Sequence, residues 1–342
     1  MPSTSNRLLR HRFLLPLGLA ALAAGGAQAQ TAIELKYASA APPTSLFAKQ
    51  VERLATDIGA ETKGAIKVTP FHNSQLGSET DVIGQIARGR VDMGGFAAGA
   101  MALQVPEIGL LQLPFYFDNA VQRDCVMDNH AKPLVVEGLA KKGLQFLAWG
   151  EAGSLELIGK RAFTAPADVK GIKMGSFANK VSIEFWKHMG TNPVPTMTPD
   201  LASSLQTGLI ESFATVPVFY VPSGLNKIAP VMSKVDIAIS LTINVMNKAA
   251  YEKLPAELRA DLDRGVLRTP TATVRSEIRS LNESLLKMHR ESGGTVAEAT
   301  PAQRAQWQKG LQPFWASVVK DLGPAGERLF AAMEAGKLAC SK

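Results

Sequence analysis

The sequence predicts an α/β chain folded as two lobes, and three observations predict it. Short apolar stretches that alternate like strands take turns with stretches of helical period, and this series restarts after residue 150. Between Ala256 and Arg290 an apolar stripe of helical period runs on far beyond the length of an ordinary helix. Strands alternating with helices are what a largely parallel sheet with crossover helices requires. Ile33 to Ala38 is the first strand, and Ser45 to Thr62 follows with Leu46, Val51, Leu54, Ala55 and Ile58 at helical spacing. Thr62-Lys-Gly64 ends that helix, and Ile66 to Phe71 reads as the next strand. After the turn Asn73-Ser-Gln-Leu-Gly77, Ser78 caps a second helix that runs to Arg88 with Val82, Ile83 and Ile86 on its apolar face. Gly89 stops it ahead of a third strand at Val91-Asp-Met93. In the second series Leu155 to Ile158 and Ile172 to Met174 read as strands, Ala178 to Met189 as a helix, Pro193 to Pro195 as an extended segment and Asp200 to Thr207 as a helix. In the long stripe Leu258, Leu262, Val266, Ile278, Leu281, Leu285 and Leu286 keep the period, and Pro270 must kink or break it. One helix of this length is expected to span both lobes as a spine.

Residues 1–29 have the three parts of a secretory leader: cationic Arg7, Arg10 and Arg12, the apolar run Phe13 to Ala24, and small residues for cleavage at Ala27-Gln-Ala29. Export to the periplasm, with processing near Gln30, is therefore expected. No cysteine follows the small-residue site to carry a lipid anchor, and no later segment is long and charge-free enough to cross a bilayer. The roughly 310 residues beyond the leader are enough for two domains of ordinary size, and 46% hydrophobic with 20% charged residues is a globular balance. Losing three arginines and no acids with the leader takes the formal charge from +7 to +4. The remaining basic residues are scattered, as in Lys141-Lys142 and Lys160-Arg161, with no basic stripe interleaved with aromatics. Nucleic acid is thereby excluded as a partner, and the surplus reads as a solvated surface. Cys125 and Cys340 are either a structural disulfide that pins the carboxyl-terminal tail to an early helix or two separate thiols, and the sequence leaves both open.

Little in the chain points to catalysis. His72, His130, His188 and His289 have no ligand-like spacing to one another or to cysteine, so no metal is expected, and no cofactor signature is present. The nucleophile pattern G-x-S-x-G is missing, and Gly94-Gly-Phe-Ala-Ala-Gly99 lacks both the lysine of a phosphate loop and the spacing of a dinucleotide fingerprint. That glycine run follows a strand, where its amides either approach a ligand or serve tight packing. Trp149 and Phe213 stand at strand ends, the places where open α/β sheets bind ligands, with Phe219 and Tyr220 close behind. Trp186 has the spacing of helix packing, beside Ile183 and Met189. Glu151 and Glu156 flank one turn: they are solvated acids, a ligand contact, or the acid and base of an exported enzyme.

Taken in order, Leu35-Lys-Tyr-Ala-Ser39, Phe71-His-Asn-Ser-Gln-Leu-Gly-Ser-Glu79, Gly89-Arg-Val-Asp-Met93, Leu111-Gln-Leu-Pro-Phe-Tyr-Phe117, Trp149-Gly-Glu-Ala-Gly153, Pro166-Ala-Asp-Val-Lys-Gly-Ile-Lys173, Gly190-Thr-Asn-Pro-Val-Pro195 and Leu205-Gln-Thr-Gly208 resemble the motifs of the extracytoplasmic solute receptors of TRAP transporters. Leu254-Pro-Ala-Glu-Leu258 resembles the turn ahead of that family's hinge-spanning helix. The resemblance implies a two-lobe periplasmic binding protein with a hinge, which closes on a small organic solute and docks on a membrane permease without covalent chemistry. A monomer is expected, and presentation of the lobes to a membrane kinase is a rival role. Residues 30–152 with 241–280 are expected in one lobe, and 153–240 with 281–342 in the other. The family's carboxylate-gripping arginine falls on Gly175, a second arginine on Leu155, an asparagine near Thr215 and an acidic contact at Ala97. The residues expected around the solute are Ala40, Gly95, Phe96, Trp149, Glu151, Leu155, Gly175, Thr198, Phe213 and Thr215, with Lys180 as a candidate substitute cation. Without the arginine's paired charge-assisted hydrogen bonds, the expected solute is neutral, aromatic or amphipathic rather than a simple dicarboxylate.

Overall fold

The computed structural model describes residues 32–341, so the leader expected over 1–29 lies outside the described residues. The chain opens with β1 (Ile33–Ser39), α1 (Leu46–Glu61), β2 (Ile66–Phe71), α2 (Glu79–Ala87), β3 (Met93–Ala97) and the short α3 (Ala98–Met101). Then come α4 (Ala120–Val126), α5 (Lys132–Lys141) and the long β4 (Leu144–Ser154). The second series is β5 (Glu156–Gly159), β6 (Lys173–Ser176), α6 (Lys180–His188), β7 (Asn192–Pro195), α7 (Leu201–Thr207), β8 (Ser212–Thr215), α8 (Pro217–Tyr220) and β9 (Val231–Lys234). After β10 (Ile239–Asn247) follow α9 (Lys248–Lys253), α10 (Ala256–Leu267), α11 (Thr271–Glu291), β11 (Thr295–Glu298), α12 (Pro301–Gln308), α13 (Leu311–Asp321) and α14 (Gly323–Ala339). One sheet has the order β2-β1-β3-β10-β4 and the other β11-β9-β5-β8-β6-β7, which gives the two lobes.

Local chemistry sets the helix starts where the sequence placed them. Ser45 and Ser78 accept backbone N–H groups of Ala48 and Asp81, and Asn179 caps α6 through Ser182. The long apolar stripe is two helices, because Pro270 cannot continue α10 and instead stands just ahead of the first turn of α11. Only α11 is the spine: it packs on β4 of the first sheet and on α8 and β11 of the second.

Two strand-to-strand links run side by side between the sheets, β4 to β5 through Leu155 and β9 to β10 through residues 235–238. Leu155 N–H donates to the Ala238 carbonyl at 2.8 Å, and Ile237 N–H to the Leu155 carbonyl at 3.1 Å. Thus β10, which is sequence-distant, lies between β3 and β4 in the first sheet, antiparallel to both. The lobe boundary expected for 281–342 needs correction at its far end. The last helix, α14, packs on α4 and α5, ahead of β4, and Cys340 is bridged to Cys125 with Cα atoms 6.0 Å apart. The disulfide left open by the sequence is therefore formed, and it ties the tail to the first lobe.

The first sheet separates two environments because side chains alternate across its strands. On one face, Phe96, Trp149, Leu241 and Ile243 enter the main core. On the other, Leu35, Met93 and Met246 pack with Ile58 of α1 and Leu262 of α10.

Candidate functional site: a cleft between the lobes

A cavity of about 200 Å³ opens between the lobes. Its floor is the upper part of the sheet face that packs on α1: Tyr37 and Ser39 of β1, Gly95 and Ala97 of β3, Ala148, Gly150 and Ala152 of β4, and Ser240, Thr242 and Asn244 of β10. Glycine at 95 and 150 makes room for this polar stripe. A Cβ at 95 would meet the Tyr37 hydroxyl and lie 2.9 Å from Asn244 Oδ1, and one at 150 would run into Thr242 Oγ1. The Tyr37 hydroxyl donates to Asn244 Oδ1, and Asn244 Nδ2 donates to the Ala148 carbonyl at 3.3 Å. Burial raises the Tyr37 pKa above its ordinary value, which keeps the hydroxyl protonated. Across the cleft the second lobe supplies an apolar wall of Leu201, Phe177, Phe213, Val216 and Phe219, with Thr215 among them.

The two lobes meet at Glu79, the first residue of α2. Its Oε1 accepts from Ala97 N–H at 2.9 Å within the first lobe, and its Oε2 accepts from Thr198 Oγ1 at 3.0 Å in the second. Burial pushes the Glu79 carboxyl above the usual range, opposed by these two donors. Among the described residues, Arg53 is the cation lining the cavity. Its Nη1 and Nη2 grip both oxygens of Glu277 on α11, at 2.8 and 2.9 Å. The other lining carboxylate, Asp57, lies 3.5 Å from Arg268 Nε.

Of the residues expected around the solute, Ala40, Gly95, Leu155, Thr198, Phe213 and Thr215 line this cavity. Trp149 also reaches its wall, but the residue pairs with Ile243 and its ring stacks edge-on against Phe146 in the core on the opposite sheet face. Phe96 and Glu151 do not line the cavity and are corrected. Both share the alternation phase of Trp149, so β3 and β4 turn them to the far side of the sheet. There Glu151, 1% exposed, is held by Arg123 and by Arg279 Nε at 2.8 Å, within a cluster that also takes in Asp124, Asp128 and Arg275.

Gly175 is a correction of another kind: it faces a smaller neighbouring cavity, and a Cβ there would sit 2.6 Å from Ile210 Cδ1 and 2.8 Å from Phe213 Cδ2. Phe213 and Ile210 thus fill the volume that a longer side chain at 175 would need. Lys180 is no substitute cation either, since its Nζ pairs at the surface with Asp321 Oδ2 at 2.9 Å. Glu156, the other half of the acid pair, belongs to the hinge. Its Oε2 accepts from Val235 N–H at 2.7 Å and Asp236 N–H at 2.9 Å. Sequence reasoning missed Glu79, Tyr37, Thr242 and Asn244. The first two sit inside motifs it had singled out, and the last two alternate with Leu241, Ile243 and Val245 as the polar face of a strand.

A sequence profile described as DctP, bacterial extracellular solute-binding protein family 7, matches residues 37–321. The chain belongs to this family. Family 7 members of the DctP type are periplasmic solute receptors of TRAP transporters, so this one is a binding protein and not an enzyme and captures a small organic solute between its lobes, and the family identity implies TRAP membrane subunits as partners. It is similar to a solute-binding protein of Chromohalobacter salexigens, 26% identical over 285 residues that cover 82% of this chain and 83% of the relative. Among solved structures, its fold is similar to the sugar acid binding protein DctPAm of Advenella mimigardefordensis in complex with galactonate: TM-score 0.84, 21% identity, 89% of this chain and 99% of that one covered. It is also similar to a TRAP solute-binding protein of Desulfovibrio salexigens with bound orotic acid, with TM-score 0.85 and 16% identity over 90% of this chain and 99% of that one. Among the described residues no helix is long and apolar enough to cross a membrane.

Proposed function

We propose that this family 7 receptor, acting as a monomer, captures a small amphipathic solute that carries no carboxylate and hands it to its TRAP permease. The observation that carries this reading is the charge inventory of the cleft: Arg53 is engaged with both Glu277 oxygens, while the Glu79 carboxyl faces the cavity with, among the described residues, no cation paired to it. An anionic solute enclosed here would lose its hydration without gaining a paired charge, an imbalance of several kcal/mol. A ring with hydroxyl or amine donors meets better partners: Glu79 and Asn244 accept, and Phe177, Phe213 and Phe219 cover its apolar faces.

A second reading is favoured by one observation. Galactonate and orotic acid in the two solved relatives are acids, and the Arg53 side chain is 38% exposed, so an acid that drew Arg53 away from Glu277 would find its cation. Calorimetry with 2-phenylethanol, phenethylamine, phenylacetate and galactonate separates the two. The proposal expects the alcohol or the amine to bind at least about tenfold tighter than either acid, a gap of about 1.4 kcal/mol. Tighter binding of an acid, lost in Arg53→Ala, would establish the second reading instead.

A further inference from the structure

The cavity does not end at the polar floor. It continues beneath α1 to the break between α10 and α11, past Val51, Leu54, Val266 and Val274, and reaches a rim of Gln50, Arg53, Asp57 and Thr269. The gap has a structural origin. At one end α10 lies so close to α1 that a Cβ on Gly265 would stand 2.7 Å from the Ile58 Cα. Thr269 still meets Asp57 of α1, Pro270 then redirects the chain, and α1 is joined again at Gln50 and Arg53, where Gln50 Nε2 donates to the Val274 carbonyl at 3.4 Å and both side chains meet Glu277. Between these two fastenings Val51, Leu54 and Val274 line the cavity and are left half-buried. The rim's polar groups are engaged with each other rather than turned into the passage: Thr269 Oγ1 donates to Asp57 Oδ2 at 3.3 Å, and Gln50 Nε2 to Glu277 Oε2 at 2.9 Å.

We infer that this passage is a second subsite of the cleft, and that the solute is elongated, with a polar or aromatic head on the floor of Tyr37, Thr242 and Asn244 and an alkyl tail threaded between Val51, Leu54, Val266 and Val274. The inference rests on the carboxylate-free reading above and specifies the kind of molecule. Apolar walls next to a hydroxyl- and amide-lined floor match an amphipathic chain, because each methylene that leaves water for such a wall tightens binding, whereas a compact hydroxylated solute would leave the passage wet. The tail must be unbranched or lightly branched, since the passage lies between two helices held together at both ends.

A homologous series from 4-methylphenol to 4-heptylphenol tests this by calorimetry on the intact protein, below the concentrations at which the longer members self-associate. The expected result is a fall in Kd of roughly threefold to fourfold per added methylene over the first several members, then a plateau. In Val51→Phe and Val274→Phe, made separately so that one folding failure does not decide the matter, the dependence on chain length should flatten while 4-methylphenol binds as in the parent. Binding of 4-methylphenol with no gain along the series would overturn the tail subsite and leave the carboxylate-free reading intact. An undiminished gain in both variants would also overturn it, by placing the tail elsewhere. If no alkylphenol binds while galactonate or phenylacetate does, both readings fail together.

Discussion

Glu151 shows how much the facing of one side chain decides. The turn that carries it suggested a ligand contact or a catalytic acid, yet its carboxylate is committed to Arg123 and Arg279 in a cluster whose three arginines and three acids balance. Removing one partner from such a cluster leaves an uncompensated charge out of water, which costs about 3–5 kcal/mol. Glu151→Ala should therefore lower the unfolding free energy in urea by about that amount and leave the affinity for the solute within twofold. Lost affinity with unchanged stability would return Glu151 to the cleft. Gly175 teaches the complementary lesson. The resemblance to the family's motif implied what was missing there, but only the packing of Ile210 and Phe213 says that the space is already filled.

At the scale of elements, the starts of α1 and α2 and the break in the long stripe were legible because capping residues, a proline and apolar periods agree there, whereas the strand expected at Val91-Asp-Met93 is β3 at Met93–Ala97 and takes in the glycine run expected to follow it. Ser45, Ser78 and Pro270 mark boundaries within a residue or two of where the chain turns. The sheet membership of β10 was not legible: antiparallel insertion of a late strand between β3 and β4 is a long-range pairing that no local pattern encodes. The cleft was half legible for the same reason. Which strand ends converge could be read, but which face of β3 and β4 looks into the cavity depends on register against β10. The spine helix presses on that arrangement directly. Gly153 has φ +98°, and a Cβ there would collide with Asn282 of α11. Gly153→Ala combines overpacking with a disfavoured backbone, and a loss of about 1–3 kcal/mol is expected in chemical denaturation. A neutral outcome would mean that α11 does not bear on β4 as tightly as described.

For the molecule as a whole, the hinge carries a buried titratable group. Glu156 is 1% exposed, and burial first, then the nearby charge of Asp236, push its carboxyl up to about 8. Asp236 itself is held by Ser154 Oγ at 3.0 Å and Arg304 Nη1 at 3.0 Å, and Lys234 and Glu283 pair nearby. A carboxyl whose folded pKa lies above its unfolded one binds more protons when folded. Its stabilising contribution is complete below the unfolded pKa and is lost as pH rises toward 8, with a limiting slope of about 1.4 kcal/mol per pH unit. Glu156→Gln keeps an acceptor for the Val235 and Asp236 amides but does not titrate. Unfolding measured from pH 5 to pH 8.5 should show the parent losing stability relative to the variant across that window, and parallel curves would refute the assignment.

The paired links at Leu155 and Ala238 have a mechanical consequence. Two peptide chains hydrogen-bonded edge to edge make a ribbon that flexes easily across its flat side and resists twisting or sliding in its own plane. The halves of the receptor are bound to each other as covers are to the back of a book, so a swing about this ribbon would follow one arc and bring the same two faces together in the same alignment.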